Sequence, residues 1–249
     1  MPALAFHDLH KQFAGAAAVD GVTVAIGSGG FTALVGTSGS GKSTLLKTVN
    51  RLIAPDSGRV TIDGLDVADG PAPALRRRVG YVFQGIGLFP HLTVAENIAI
   101  GLRIAGRAEG ARIGELLDLV ELPRTFGQRM PAELSGGQRQ RVGIARALAP
   151  GAKLLLLDEA FGALDPVTRD TLGGAIRRLH DELGLTTMLV THDMAEALLL
   201  ADRVLVMAAG KLVADATPVE LLRGGGGAAA QALVAVPRAQ TERLRALAG

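Results

Sequence analysis

The 249 residues include no cysteine and no tryptophan. Without cysteine there are no disulfides and no thiolate metal sites, which fits a reducing compartment. Aromatic residues make up only 3% of the chain, so a core must be built mainly from Leu, Val, Ile and Ala. The same scarcity leaves no basic run interleaved with aromatics, as stacking on single strands requires. The formal net charge of +2 is too small to argue for nucleic acid as a partner. No apolar run approaches the roughly 18 residues of a membrane helix. The opening MPALAFHDLHKQF puts Asp8 and two histidines where a signal peptide needs an apolar core. The expectation is a cytosolic protein; any work at a membrane needs a partner that does the spanning.

What is present is a 48% hydrophobic chain, long enough for one large domain. Short β-like runs alternate with helical ones. VTVAI (22–26), FTALVG (31–36), RVTID (59–63) and VGYVF (79–83) read as strands, and 42–53 as a helix. From 85 to 149 the pattern is helical with short breaks. KLLLLD (153–158) is a continuous apolar run, as expected of a strand buried on both faces of a parallel sheet. A helix over about 166–182, a strand TTMLVT (186–191), a helix at 193–200 and a strand VLVMA (204–208) follow. This predicts one α/β core interrupted by a helical insert. Gly224–Gly227 reads as a flexible linker before a short Arg/Ala/Leu tail.

Gly36-Thr37-Ser38-Gly39-Ser40-Gly41-Lys42-Ser43-Thr44 fits G-x-x-x-x-G-K-[ST], with a strand entering and a helix leaving. Glycines let the backbone curl until successive N–H groups face one anion, and the helix N-terminus adds partial positive charge. Lys42 would reach the β and γ phosphates and Ser43 would ligate Mg²⁺. The plain alternative is a turn in a chain with 33 glycines.

The run KLLLLD ends in Asp158-Glu159, and in open α/β sheets ligands bind outside the carboxyl ends of strands. Asp158 would hold Mg²⁺, and Glu159 would act on the attacking water as general base or orienter. The competing reading is an acidic pair opening a surface loop. Gln84 ends VGYVF and has reach for Mg²⁺ or the attacking water, or is an ordinary loop glutamine. His192 ends TTMLV and is either a sensor of the γ-phosphate or structural. Phe13 is either a platform for adenine or a core residue.

LSGGQRQRVGIARAL (134–148) looks like a second anion-binding turn, yet holds no lysine. Ser135-Gly136-Gly137-Gln138 also fits a capping box, a purely structural reading. The box leaves two consecutive glycines unexplained, since each is unfavourable in a helix. An anion approaching the backbone accounts for them, its cation being Lys42 of another copy of the chain.

With these motifs on the page, the chain resembles the ATPases of the ABC-transporter family. LSGGQRQRVGIARAL resembles their signature sequence, GTSGSGKST their Walker A and LLLLDE their Walker B. Gln84 corresponds to the Q-loop residue, Ala163-Leu164-Asp165 to the D-loop and His192 to the switch histidine. The resemblance runs from about Phe6 to Leu222. It implies a P-loop NTPase core with a mainly parallel sheet, an N-terminal antiparallel β part and an inserted α-helical subdomain. The ATPase domain is expected over 1–223, its insert over about 85–150, and the linker and tail over 224–249. It further implies ATP and Mg²⁺ as ligands and Asp165 at the nucleotide. Two copies would pair head to tail, each ATP lying between Lys42 of one and Ser135–Gly137 of the other, through a surface shared by both. A transmembrane permease, a solute-binding protein and a place on the inner face of the membrane are also implied. GIGLFPHLTVAENI (85–98) is the expected permease contact, beside the plainer reading that it fills the insert's own core.

FGALDPVTRDTL, QGIGLFPHLTVAENIA and THDMAEALLLADR are similar to importers of quaternary-amine osmoprotectants such as glycine betaine and choline. Ala160 departs from that pattern, standing where many of that group carry Pro. A paired regulatory domain after Gly249 is not expected. The alternatives are an importer ATPase for another small solute, a soluble ABC ATPase acting on nucleic acid or ribosomes, and a P-loop kinase or GTPase. The soluble ABC type usually carries two cassettes or long coiled coils, and the kinase or GTPase leaves Ser135–Gln138 and His192 without a task.

Overall fold

The computed structural model describes residues 2–162 and 164–248. It is a mixed α/β fold with one antiparallel sheet and one mainly parallel sheet. The chain forms two compact units, Met1–Ala68 with Leu189–Gly249, and Asp69–Met188.

In the first unit, β1 (Pro2–Phe13), β2 (Ala16–Gly27), β4 (Ser57–Ile62) and β5 (Leu65–Asp66) form an antiparallel sheet in the order β2-β1-β4-β5. Alternate residues of β2 are buried over 22–26, the mark of a sheet covered on one face. A bulge at Asp8, with φ 47°, breaks the same alternation in β1. Gly58 lies against it so closely that a Cβ would sit 2.2 Å from the Asp8 carbonyl oxygen. The unit also holds β3 (Phe31–Val35), paired in parallel with β9 (Arg203–Ala208), and β10 (Lys211–Ala216), antiparallel to β9. Every residue of β3 is buried. Its helices are α1 (Lys42–Val49), α7 (Met194–Leu200), α8 (Pro218–Leu222) and α9 (Gly227–Ala248).

In the second unit, β6 (Val79–Val82) pairs in parallel with β7 (Leu154–Asp158), which neighbours β8 (Thr186–Thr191), a strand shared with the first unit. All five residues of β7 are buried, and each leucine contributes about 1.5–3 kcal/mol by leaving water. After the short α2 (Ala72–Arg78), the helical insert contains α3 (Val94–Ile104), α4 (Gly110–Leu119) and α5 (Gly136–Leu148), with two 3-10 turns at 124–128 and 131–133. Ile98 and Leu102 on α3, Leu116 on α4 and Val142 on α5 are fully buried and form the insert's own core. α6 (Pro166–Leu183) opens on Asp165, whose carboxylate accepts the Thr168 N–H, with Pro166 at the first position; Gly184, at φ 57°, stops it.

The segment expected to be a linker and tail takes a different form. Gly224, Gly226 and Gly227 adopt positive φ in a compact turn, and the Gly225 N–H donates to the Glu220 carbonyl at 2.8 Å. α9 then returns against α7, α8 and β10, burying Ala230 and Val234. Residues 238–247, in its distal half, are exposed throughout.

Candidate functional site

The phosphate loop joins β3 to α1 in the first unit. Its shape depends on glycine at two closely packed places. A Cβ on Gly36 would lie 2.2 Å from the Met207 carbonyl oxygen, and one on Gly41, at φ 101°, only 1.9 Å from that of Ala18. No side chain caps α1, so its first N–H groups face the loop. Lys42 is 4% exposed, and its ammonium donates to the carbonyls of Gly36 (2.8 Å) and Thr37 (2.9 Å). Ser43 and Thr44 stand in the first turn of the helix, while Thr37, Ser38 and Gly39 are exposed. Glycine backbone, an ammonium and an uncapped helix N-terminus thus belong to one loop, a donor set for a polyphosphate.

Gly41→Ala combines a left-handed backbone cost of about 1–2 kcal/mol with overpacking of about 1–3 kcal/mol. The expected result is a melting temperature lower by roughly 5–15 °C, read by circular dichroism. Gly39→Ala, at φ 77° with nothing within 4 Å of its Cβ, should lower it less. Equal falls for the two variants would remove the steric account of the loop.

In the second unit, β7 delivers Asp158 and Glu159. Asp158 is 2% exposed and accepts a 2.7 Å hydrogen bond from the Tyr81 hydroxyl on β6. Burial, reinforced by Asp158, pushes the Tyr81 pKa far upward, so the hydroxyl keeps its proton and stays a donor. Sequence reading passed over Tyr81, although a lone tyrosine inside an apolar strand calls for a polar partner. Glu159 has φ 47°, a left-handed conformation unfavourable for a non-glycine residue. Gln84 meets it directly, Nε2 donating to Glu159 Oε2 at 3.0 Å. The structure thus joins Gln84 to Glu159, and Tyr81 to Asp158.

Ser135 caps α5 as expected of a capping box: its Oγ accepts from the Gln138 N–H at 3.3 Å, and Gln138 Oε1 accepts from the Ser135 N–H at 2.9 Å. The glycines have an intramolecular reason as well. A Cβ on Gly137 would fall 2.3 Å from Thr168 Cγ2, and one on Gly136 3.3 Å from Leu164 Cδ2. Close packing of α5 on the start of α6 therefore accounts for part of what an approaching anion was invoked to explain. Arg141 fixes the same helix from behind, donating to the Val120 carbonyl at 2.8 Å and to Glu121 at 2.9 Å, while Arg178 of α6 grips Glu121 at 2.6 Å. These two guanidinium groups hold the Glu121 carboxyl below the usual range. Of the expected D-loop, Asp165 is the cap of α6 and Ala163 lies outside the described residues.

His192 is exposed just before α7, whose cap Asp193 accepts from the N–H groups of Ala195 and Glu196. A cavity of about 230 Å³ beside it is lined by His192, Met194, Leu233, Pro237 and Gln240, so α9 flanks the switch position. Phe13 is 47% exposed, which excludes the core reading, and Lys11 Nζ lies over its ring, 5.3 Å from the centre. His180, by contrast, is buried and bonded through Nδ1 to Thr187 Oγ1 at 2.9 Å.

Among the described residues, no group of three or more His, Cys, Asp or Glu side chains could hold a metal by itself. The Ser43 hydroxyl in the first unit, and the Asp158 carboxylate and Gln84 amide oxygen in the second, are each oxygen donors of the kind that suit Mg²⁺.

A glycine cradle opening a helix and an acidic end on a buried parallel strand define a P-loop protein of the α/β class. Residues 19–162 match the family described as ABC transporter, and the chain belongs to that family. It is 49% identical over 223 residues, 89% of this chain and 63% of the relative, to the "Fe(3+) ions import ATP-binding protein FbpC" of Pseudomonas fluorescens. It is 47% identical over 220 residues, 87% of this chain and 71% of the relative, to the "Glycine betaine uptake system ATP-binding protein YehX" of Escherichia coli. Among solved structures it is similar to the dimeric post-hydrolysis state of the ATP-binding cassette MJ0796 bound to ADP and Pi, with TM-score 0.77 and 32% identity over 86% of this chain and 98% of that one. The chain spans 56–63% of the length of several curated relatives it matches, the iron, carnitine, choline and sulfate import ATP-binding proteins among them. No helix among the described residues is long and apolar enough to cross a membrane.

Proposed function

We propose that the protein is the ATP-hydrolysing subunit of an import system. One observation carries the reading: an amide–carboxylate pair, Gln84 to Glu159 at 3.0 Å, stands at the end of the buried strand that also bears Asp158. In this reading the loop from Gly36 to Thr44 binds the triphosphate and Lys42 neutralises it. Mg²⁺, when bound, draws charge off the phosphates, and Ser43, Asp158 and Gln84 are the residues that would hold it. Tyr81 fixes the Asp158 carboxylate. Glu159 takes or orients the proton of the attacking water. His192 contacts the γ-phosphate, Phe13 faces the adenine and Asp165 the nucleotide of the facing copy.

Two copies pair around two ATP, with Ser135, Gly136, Gly137 and Gln138 of each closing on the nucleotide of the other. The dimer of MJ0796 supports this. ATP favours the closed pair and hydrolysis releases it, which becomes work as a shift between two states. A membrane permease receives that work on the inner face through 85–98. Phe89 is 42% exposed there and Phe83, just before it, 44%, while Val94 and Ile98 are buried in the insert. A solute-binding protein delivers the cargo, for which we favour quaternary-amine osmoprotectants over the iron and sulfate named for other relatives.

Purified protein should hydrolyse MgATP and lose that activity when Lys42 becomes Ala. Absence of hydrolysis at every protein concentration would refute the reading. The cargo is tested by copurifying the complex and titrating its binding protein with glycine betaine, choline, ferric ion and sulfate. A response to either inorganic ion and to neither amine would overturn the osmoprotectant assignment.

A further inference from the structure

Arg146 stands on α5, two turns beyond the glycines, in the apolar run GIARAL. The proposed reaction gives it no task. Its guanidinium is partly buried, and burial pulls it below the ordinary arginine range. Its two hydrogen bonds go to backbone carbonyls rather than to a carboxylate: Nη2 to Ile86 at 2.9 Å and Nη1 to Gly87 at 2.7 Å. A cation withdrawn from water onto two carbonyls is costly unless the geometry it enforces matters.

That geometry is unusual. Ile86 has φ 61° and Gly87 φ 59°, two successive left-handed residues, the first of them β-branched. Gly143 faces Ile86 closely: a Cβ there would be 3.2 Å from Ile86 Cγ2. The Arg146 backbone is pinned from the other side, since a Cβ on Gly101 of α3 would lie 2.8 Å from its carbonyl oxygen. Downstream, the fully buried Asn97 ties the chain to α3. It accepts from the Phe89 N–H at 2.8 Å and donates to the carbonyls of Phe89, Leu92 and Thr93 at 3.0–3.1 Å. Residues 86–93 are thus fastened to the helices of the insert, and just before them Gln84 is fastened to Glu159. Gly85 alone separates the two attachments.

We propose that Arg146 is a positioning residue: it locks the Ile86-Gly87 turn to α5, so that any displacement of the insert reaches Gln84, and through it Glu159, without slack. The proposal rests on the role given above to Gln84 and Glu159. Arginine suits the task because its planar fork serves two neighbouring carbonyls at once, whereas lysine offers a point charge for one.

The test uses the full chain with Arg146→Met and Arg146→Lys, reading amide hydrogen exchange together with steady-state MgATP hydrolysis. In Arg146→Met, exchange at 84–92 should rise about tenfold while that of β7 is unchanged. The kcat should fall about tenfold with the KM for ATP within about twofold of wild type. Arg146→Lys should lie between wild type and Met in both readouts. Wild-type exchange at 84–92 would overturn the proposal, as would faster exchange there with an unaltered kcat. Faster exchange in β7 together with 84–92 would reduce Arg146 to a packing residue and overturn it equally. Failure of the wild type to hydrolyse MgATP would instead refute the proposed function, while the exchange measurement would still report whether Arg146 holds the turn.

Discussion

Glu159→Gln is expected to leave ATP bound and unhydrolysed, with turnover lower by about two to four orders of magnitude, the contribution of a positioned general base. The substitution is isosteric, and an amide oxygen at this position still accepts the bond that Gln84 Nε2 donates to Glu159. The backbone at φ 47° is unaffected, because glutamine and glutamate share the same Cβ geometry. Folding should therefore be retained, and the loss should fall on the chemical step. On the proposed reading hydrolysis removes the γ-phosphate that joins two copies, so the variant should also accumulate as a nucleotide-bound dimer. Single-turnover hydrolysis of radiolabelled ATP and sedimentation with and without MgATP measure the two effects. A wild-type rate would remove Glu159 from its role. A slow variant that never dimerises would instead separate catalysis from pairing.

The legible parts of the fold were those with one dominant periodicity. FTALV, KLLLLD and TTMLVT are buried on both faces and appear as β3, β7 and β8 within a residue or two of their expected limits. β1 was not readable as a strand, because the bulge at Asp8 shifts its register and breaks the two-residue rhythm. β10 was missed because KLVADA alternates weakly: its outward residues are Lys211, Val213 and Asp215, one of them apolar, and its inward residues Leu212 and Ala214 are only half-buried. The glycines at 224–227 misled for a different reason. Glycine supplies positive φ to a tight turn as readily as it supplies freedom to a linker, and only the burial of Ala230 and Val234 on α9 distinguishes the two.

In the site, spacing alone brought forward Lys42, Asp158, Glu159, Gln84 and Ser135, since each stands where a strand or a glycine turn ends. The residues that hold them were not visible, because their partners lie far away in sequence. Tyr81 is 77 residues from Asp158, and Arg146 is 60 from Ile86. A signal existed in each case: a polar group inside an apolar run, as in VGYV, GIARAL and VAENIAI. Gly137 teaches the reverse. Part of what comes close to its backbone is Thr168 of the same chain.

Ser135→Arg carries the second large effect, and it tests what the cap of α5 is for. Within one chain Ser135 does a modest task, accepting the Gln138 N–H and donating its own N–H to the Gln138 side chain. Losing such a cap costs about 1 kcal/mol, and Ser135→Ala loses it too. If that were its whole role, the two variants would differ little. If the segment closes on the partner's triphosphate, arginine adds a long cation where a small residue must admit another molecule, and closure fails. Ser135→Arg should therefore bring MgATP hydrolysis to background, while one ATP per chain still binds the isolated subunit within about threefold of wild-type affinity. Ser135→Ala should keep most of its activity and melt at the same temperature as the arginine variant. Equilibrium dialysis, hydrolysis assays and thermal melts supply the three comparisons. Parallel loss of binding and hydrolysis in Ser135→Arg would signal a damaged fold, and hydrolysis at the wild-type rate would mean that this helix end never meets the nucleotide of a second copy.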